Sequence, residues 1–153
     1  MLIVSTGYSH RALAGGLSVD LLPSIWMLVT IFLASIFIVA QKRLADIKTA
    51  EALGNLRQSI QLYPKSFLTL VTGVSASAAI VSFMLFTLSD YAKDKFSNQY
   101  LPFMSIFVIY ASLRYIQVAM NSSSGHDPIR LILTDRHLKA CMVLSLLFII
   151  ITN

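Results

Sequence analysis

Charge is what this sequence has least of. Only 12% of its 153 residues are Asp, Glu, Lys or Arg, against roughly 25% in an ordinary soluble domain. Apolar residues make up 56% and the mean hydropathy is +0.73. A conventional water-soluble globule is excluded. Cysteine is nearly missing as well: Cys141 stands alone, so no internal disulfide can close, and no Cys/His grouping has the spacing of a structural metal site. A stapled mini-protein and a zinc module drop out together. There is no glycine-rich phosphate loop, no Ser-His-Asp grouping and no helical His-Glu-x-x-His. His10, His126 and His137 are single and unclustered and are assigned no role.

Long apolar runs are what the sequence has instead. Residues 21–41 and 66–89 contain no charged residue, and each is long enough to cross a hydrocarbon core that needs about 20 helical residues. A third run, 101–120, is interrupted only by Arg114, placed late enough for its side chain to reach a headgroup. The last run, 138–152, rises only about 22 Å at 1.5 Å per residue and needs its flanks or thinned lipid to cross. Residues 1–19 are apolar on both sides of His10 and Arg11. A signal peptide would carry its positive charge before the apolar stretch, so a span holding a functional arginine fits better. The expectation is an all-α, polytopic transmembrane bundle of about five spans, forming a single transmembrane domain over 1–153.

The surplus of twelve Lys+Arg over seven Asp+Glu, a net +5, reads as membrane topology rather than as a nucleic-acid surface, because the basic residues sit between the apolar runs. The 42–65 connection carries Lys42, Arg43, Lys48, Arg57 and Lys65, and the 121–137 connection carries Arg130 and Arg136. The 20–23 connection has no basic residue, and 90–99 has Lys93 and Lys95 balanced by Asp90 and Asp94. The positive-inside rule puts the N-terminus and both basic loops, 42–65 and 121–137, on the cytoplasmic side.

An ionisable residue inside a membrane is a functional hypothesis by default. Arg11, beside Ala12, Ala14, Gly15 and Gly16, either faces a polar cavity in the bundle or climbs to the interface from a frayed helix end while the glycines serve close packing. If the second helix continues past the membrane, Asp46 lies one turn from both Lys42 and Arg43. Two cations and a carboxylate would suit a phosphorylated substrate and Mg²⁺. Topological anchoring and an ordinary helix-surface ion pair account for the same residues, and from composition alone they are favoured. Leu53, Leu56 and Ile60 recur at helical spacing, which suggests an amphipathic interfacial helix ended by Tyr63-Pro64. In the second loop, Asp127-Pro128 reads as a helix start, and Asp135 and Arg136 read as the close of that short helix. Trp26, Tyr100 and Tyr110 fit an interface belt better than a base-stacking platform.

Taken in order, several of these pieces resemble the UbiA-type membrane prenyltransferase superfamily, and within it the decaprenyl-phosphate phosphoribosyltransferase branch. They are Arg11-Ala12-Leu13-Ala14-Gly15-Gly16, Ser24-Ile25-Trp26, Lys42-Arg43-Leu44-Ala45-Asp46, Arg57 with Tyr63, Arg114-Tyr115, Gly125-His126-Asp127-Pro128, and Thr134-Asp135-Arg136. The resemblance implies the C-terminal half of a fold of about nine helices around a cavity, in a bacterial cytoplasmic membrane. It also implies Mg²⁺-dependent attack on a carbon bearing pyrophosphate, with polyprenyl phosphate attacking phosphoribosyl pyrophosphate in this branch. On that resemblance Lys42, Arg43 and Arg11 would bind substrate phosphates and Asp46 would hold the metal where glutamate is more usual. Asp127, Asp135 and Arg136 would shape the second loop.

One departure is large. The Asn-Asp-x-x-Asp-x-x-x-Asp pattern of the family's first aspartate-rich motif is nowhere in this sequence, so half of the implied metal site is absent. The expectation is a truncated piece, inactive by itself, whose partners are the bilayer, a polyprenyl phosphate or prenyl diphosphate, and a missing N-terminal half; nucleic acid is not among them. The rival expectations are prenyl transfer to an aromatic or lipid acceptor within the same fold, and a small non-enzymatic membrane protein.

Overall fold

A computed structural model of the chain describes residues 1–52, 63–96, 98–121 and 133–152. Every regular element among them is helical: α1 (Leu2–Leu17), α2 (Ile25–Ala52), α3 (Lys65–Leu88), α4 (Asp90–Phe96), a 3-10 turn (Leu101–Phe103), α5 (Met104–Asn121) and α6 (Arg136–Thr152). Among the described residues three helices are long and apolar enough to cross a membrane: Ile25–Glu51, Lys65–Leu88 and Leu101–Met120. They match the three central apolar runs. With 16 residues in α1 and 17 in α6, these two rise about 24 and 26 Å, short of a core about 30 Å thick. Leu53, Leu56 and Ile60 lie outside the described residues.

Helices α2 and α3 form an antiparallel pair. Lys65 at the start of α3 bonds Glu51 at the end of α2, while Trp26 and Leu85, from opposite termini, line one shallow groove. The buried stripe of α3 is Leu68, Thr72, Ser75, Ala76, Ala79 and Ser82, mostly small residues at helical spacing. Small side chains let backbones approach, which is how helices gain packing where lipid tails are as apolar as leucine. Thr72 Oγ1 is buried on this seam without a hydrogen-bond partner among the described residues, while two other hydroxyls turn back onto their own helices: Ser75 Oγ donates to the Val71 carbonyl and Ser35 Oγ to that of Ile31, both at 2.6 Å. The seam is thus polar in composition with those protons already satisfied. Away from it, Leu70, Val74, Val81 and Leu88 are exposed, the expected dress of a lipid-facing surface.

Helices α5 and α6 pair in the same way. Asn98, ahead of α5, donates to Thr152 Oγ1 at 2.9 Å, Phe107 meets Phe148 at 5.8 Å between centroids, and Arg114 reaches Asp135 at the other end. The central core joins this pair to α2: Tyr115 and Leu138 are buried, with Phe37, Ala111, Val118 and Ala119 packed on them. The Phe37 and Tyr115 rings meet edge to face at 5.4 Å, a geometry worth about 0.5–1.5 kcal/mol beyond area burial.

The turn between α1 and α2 depends on Gly16. A Cβ there would stand 2.6 Å from the Leu21 carbonyl oxygen and 2.7 Å from Pro23, so only glycine lets the Leu21 N–H reach the Gly16 carbonyl at 2.9 Å. Asp20 takes a left-handed φ of 55° to complete the reversal, which a short polar side chain tolerates. Residues 90–99, read from sequence only as a connection, contain α4. Ser89 caps it, its hydroxyl accepting from the Ala92 N–H at 3.3 Å.

Candidate functional site

Charged side chains gather at the end of the bundle where α2 overshoots. Its 28 residues span about 42 Å, some 12 Å more than the hydrocarbon core. The helix runs on without a break, so Lys42, Arg43 and Asp46 share neighbouring turns as the spacing required. Lys42 and Arg43 are exposed and Asp46 is half-buried, with Gln41, Ile47 and Ala50 buried around them. The expected ion pairs do not form. Among the described residues the salt bridges are Lys65–Glu51, Lys93–Asp90 and Arg114–Asp135, which leaves both cations and the carboxylate open to a ligand.

One lysine of the same helix end fastens it to α5 by two hydrogen bonds. Lys48 Nζ donates to the carbonyl oxygens of Ala119 at 2.9 Å and Met120 at 3.1 Å. These belong to the last turn of α5, the negative end of its dipole, which favours a cation. Lys48 thereby places the Asp46 turn beside the C-terminus of α5.

Arg114 does not climb to a headgroup. Its Nε and Nη2 grip the Asp135 carboxylate at 3.3 and 2.8 Å, and Nη1 donates to Gln117 Oε1 at 2.9 Å. The carboxylate is 11% exposed and the guanidinium 27%. The same Oδ1 accepts the backbone N–H groups of His137 and Leu138, both at 3.0 Å. Helical residues 133–134 end at Asp135 as the sequence suggested; Asp135 is at the same time the N-cap of α6, which Arg136 opens. The second role is local in origin: an aspartate carboxylate accepts from the orphan N–H groups of the helix that follows it. The Arg114 hydrogen bonds, aided by the two backbone N–H groups and opposed by desolvation, hold the Asp135 carboxyl well below the usual carboxylate range, at about 2. Arg136 is exposed.

Arg11 lies on the exposed side of α1 with its guanidinium 5.7 Å from the centre of the Tyr8 ring. It is not brought to the Lys42 cluster. Tyr63 stacks on Phe67 at 5.9 Å. Asp127, with Gly125, His126 and Pro128, and Arg57 lie outside the described residues. Among the described residues no three His, Cys, Asp or Glu side chains come together. Asp46 offers one carboxylate, too few to hold Mg²⁺ by protein ligands alone; Mg²⁺ commonly takes one or two carboxylates and completes its shell with water and substrate phosphates.

The fold and this site define an all-α integral membrane chain with a cluster of unpaired charges at one end. No family model matches it. The chain is 35% identical to the decaprenyl-phosphate phosphoribosyltransferase of Mycolicibacterium smegmatis, over 96% of its own length and 46% of the relative's. It is 31% identical to the protein of that name in Mycobacterium tuberculosis, over 90% and 44% of the two chains. For the one in Corynebacterium glutamicum the identity is 28% over 97% and 45%. The resemblance carried by the motifs thus extends along nearly the whole sequence, and the chain spans about half the length of the curated relatives it matches.

Proposed function

We propose that the chain forms part of a UbiA-type membrane transferase that moves a phosphoribosyl group from phosphoribosyl pyrophosphate to a polyprenyl phosphate, with its basic end in the cytoplasm. The observation that carries this reading is the unpaired trio on the α2 overhang, two exposed cations and a half-buried carboxylate, in a chain whose relatives carry that activity in their names. In the reaction a lipid phosphate oxygen attacks the anomeric carbon, the bond from that carbon to pyrophosphate breaks, and pyrophosphate leaves with the electron pair. Lys42 and Arg43 would bind the donor phosphates and stabilise the charge growing on the departing group. Mg²⁺, when bound with the donor, would neutralise pyrophosphate, and Asp46 would be this chain's carboxylate toward it. One carboxylate is few for such a metal, and further ligands would come from the donor's phosphates and water.

The test is a chimera in which these 153 residues replace the matching part of the Mycolicibacterium smegmatis relative. Membranes carrying it receive either labelled phosphoribosyl pyrophosphate with polyprenyl phosphate, or a prenyl diphosphate with an aromatic acid. Label passing to lipid from the first pair supports the proposal. Transfer from the second pair alone refutes it in favour of prenyl transfer, and transfer from neither pair, in membranes where the chimera is inserted, refutes both.

A further inference from the structure

A second concavity lies at the opposite end of the bundle, far from the α2 overhang. It has a volume of about 360 Å³ and is enclosed by the end of α1, the start of α2, the end of α3 and α4. Its walls are Ala12, Met27, Phe86 and Phe96, and its polar groups are Tyr91 and Lys95. Phe86 meets Phe96 edge to face and Tyr91 at a tilt, each at 6.5 Å, so the aromatic wall is a packed unit. The space is mostly apolar and open on one side, so in a membrane it can be filled by an apolar chain that enters from the lipid.

Lys95 decides which chain. Two lysines lie on α4, and they are spent differently. Lys93 pairs with Asp90 one turn back at 3.4 Å, whereas Lys95 borders the cavity and has no carboxylate within ion-pair reach among the described residues. An ammonium at the mouth of an apolar pocket matches a molecule that is apolar along most of its length and negatively charged at one end. We infer that this pocket holds one phospholipid of the leaflet opposite the Lys42 end, an acyl chain against Phe86 and Phe96 and its phosphate on Lys95. The phosphate itself is recognised rather than the net charge of the headgroup. Asp20, Asp90 and Asp94 share this end with Lys93 and Lys95, so the end as a whole has no positive field to draw an anionic leaflet.

Native mass spectrometry of the purified chain, offered dioleoylphosphatidylcholine or dioleoylglycerol, tests the inference. The two lipids have the same acyl chains and differ in the phosphate. The expected result is one retained phosphatidylcholine and little retained dioleoylglycerol. Lys95→Glu replaces the phosphate's hydrogen-bond donor by a carboxylate and reduces phosphatidylcholine retention at least about fivefold. Lys93→Glu, at a residue already paired within α4, leaves it unchanged, and Ala12→Phe, which fills the cavity from α1, abolishes it. Equal retention of the two lipids by the unaltered chain, or phosphatidylcholine retention that survives both Lys95→Glu and Ala12→Phe, overturns the inference.

Discussion

Lys42, Arg43 and Asp46 on α2, and Arg114 and Asp135 across α5 and α6, stand at the same end of the bundle, yet their charges are used in opposite ways. The α2 trio shares neighbouring turns of one helix and forms no ion pair among the described residues. The Arg114–Asp135 pair is bidentate, largely withdrawn from water and tied into the first turn of α6. A charge already committed to helix ends supports the fold, while one left open near a membrane surface remains available to a ligand. Position alone does not separate the two kinds; hydrogen-bond bookkeeping does.

The sharpest way to break this comparison is to remove charge from each group and follow activity and stability together. In the chimera, Lys42→Ala or Asp46→Asn is expected to lower phosphoribosyl transfer by about 10²-fold or more, the scale of losing one preorganised charge-stabilising group. Insertion and melting temperature should stay as they were. Asp135→Ala is expected to do the reverse, lowering the melting temperature by about 5 °C through loss of the cap and of the Arg114 partner together. The exchanged pair Arg114→Asp with Asp135→Arg should recover only part of that, because an arginine cannot accept the His137 and Leu138 N–H groups. If Asp46→Asn unfolds the protein while Asp135→Ala leaves melting untouched, the division between the two groups is wrong.

Acid titration sharpens the same contrast. The folded state keeps Asp135 ionised down to about 2, whereas the unfolded chain protonates it near its ordinary value of about 3.9. The unfolded state therefore binds the proton first as pH falls. The contribution of this carboxylate is fully present above about pH 5 and is lost between about pH 4 and pH 2. Melting curves of the unaltered chain and of Asp135→Asn should converge across that window and run parallel above it; a constant gap down to pH 2 would refute the assignment. The smallest effect belongs to Lys48→Met, which uncaps α5 and should cost about 0.3–1 kcal/mol, the range for a cation at a helix C-terminus. It should be read by denaturant titration in detergent.

Much of this architecture was legible because lipid imposes a simple rule. Runs of about twenty uncharged residues could only be helices, and the three central ones are where the sequence put them. The continuation of α2 through Asp46 was legible too, since nothing between Gln41 and Ala52 breaks a helix. The Arg114–Asp135 pair was missed although both signals were present. A lone charge in an apolar run calls for a partner, and Asp135 stands immediately before the final run in the place of an N-cap. What linked them was a separation of 21 residues, and no pattern within one helix reports a contact between two. The Lys48 contact with Ala119 and Met120 escaped for a related reason: its acceptors are backbone carbonyls, which every residue has and no sequence marks. The cavity beside Lys95 depends on four elements meeting and is likewise invisible to a reading along the chain.

Trp26 gives these proposals a built-in gauge. It is the chain's sole indole, partly exposed in the outer groove and 16 residues from Lys42, or about 24 Å along the α2 axis. Its emission, quenched by lipids brominated at graded positions along their tails, reports the depth of one terminus of α2 with no label attached. Because the helix is continuous, that depth together with the helix tilt sets the height at which Lys42, Arg43 and Asp46 leave the bilayer on the far side.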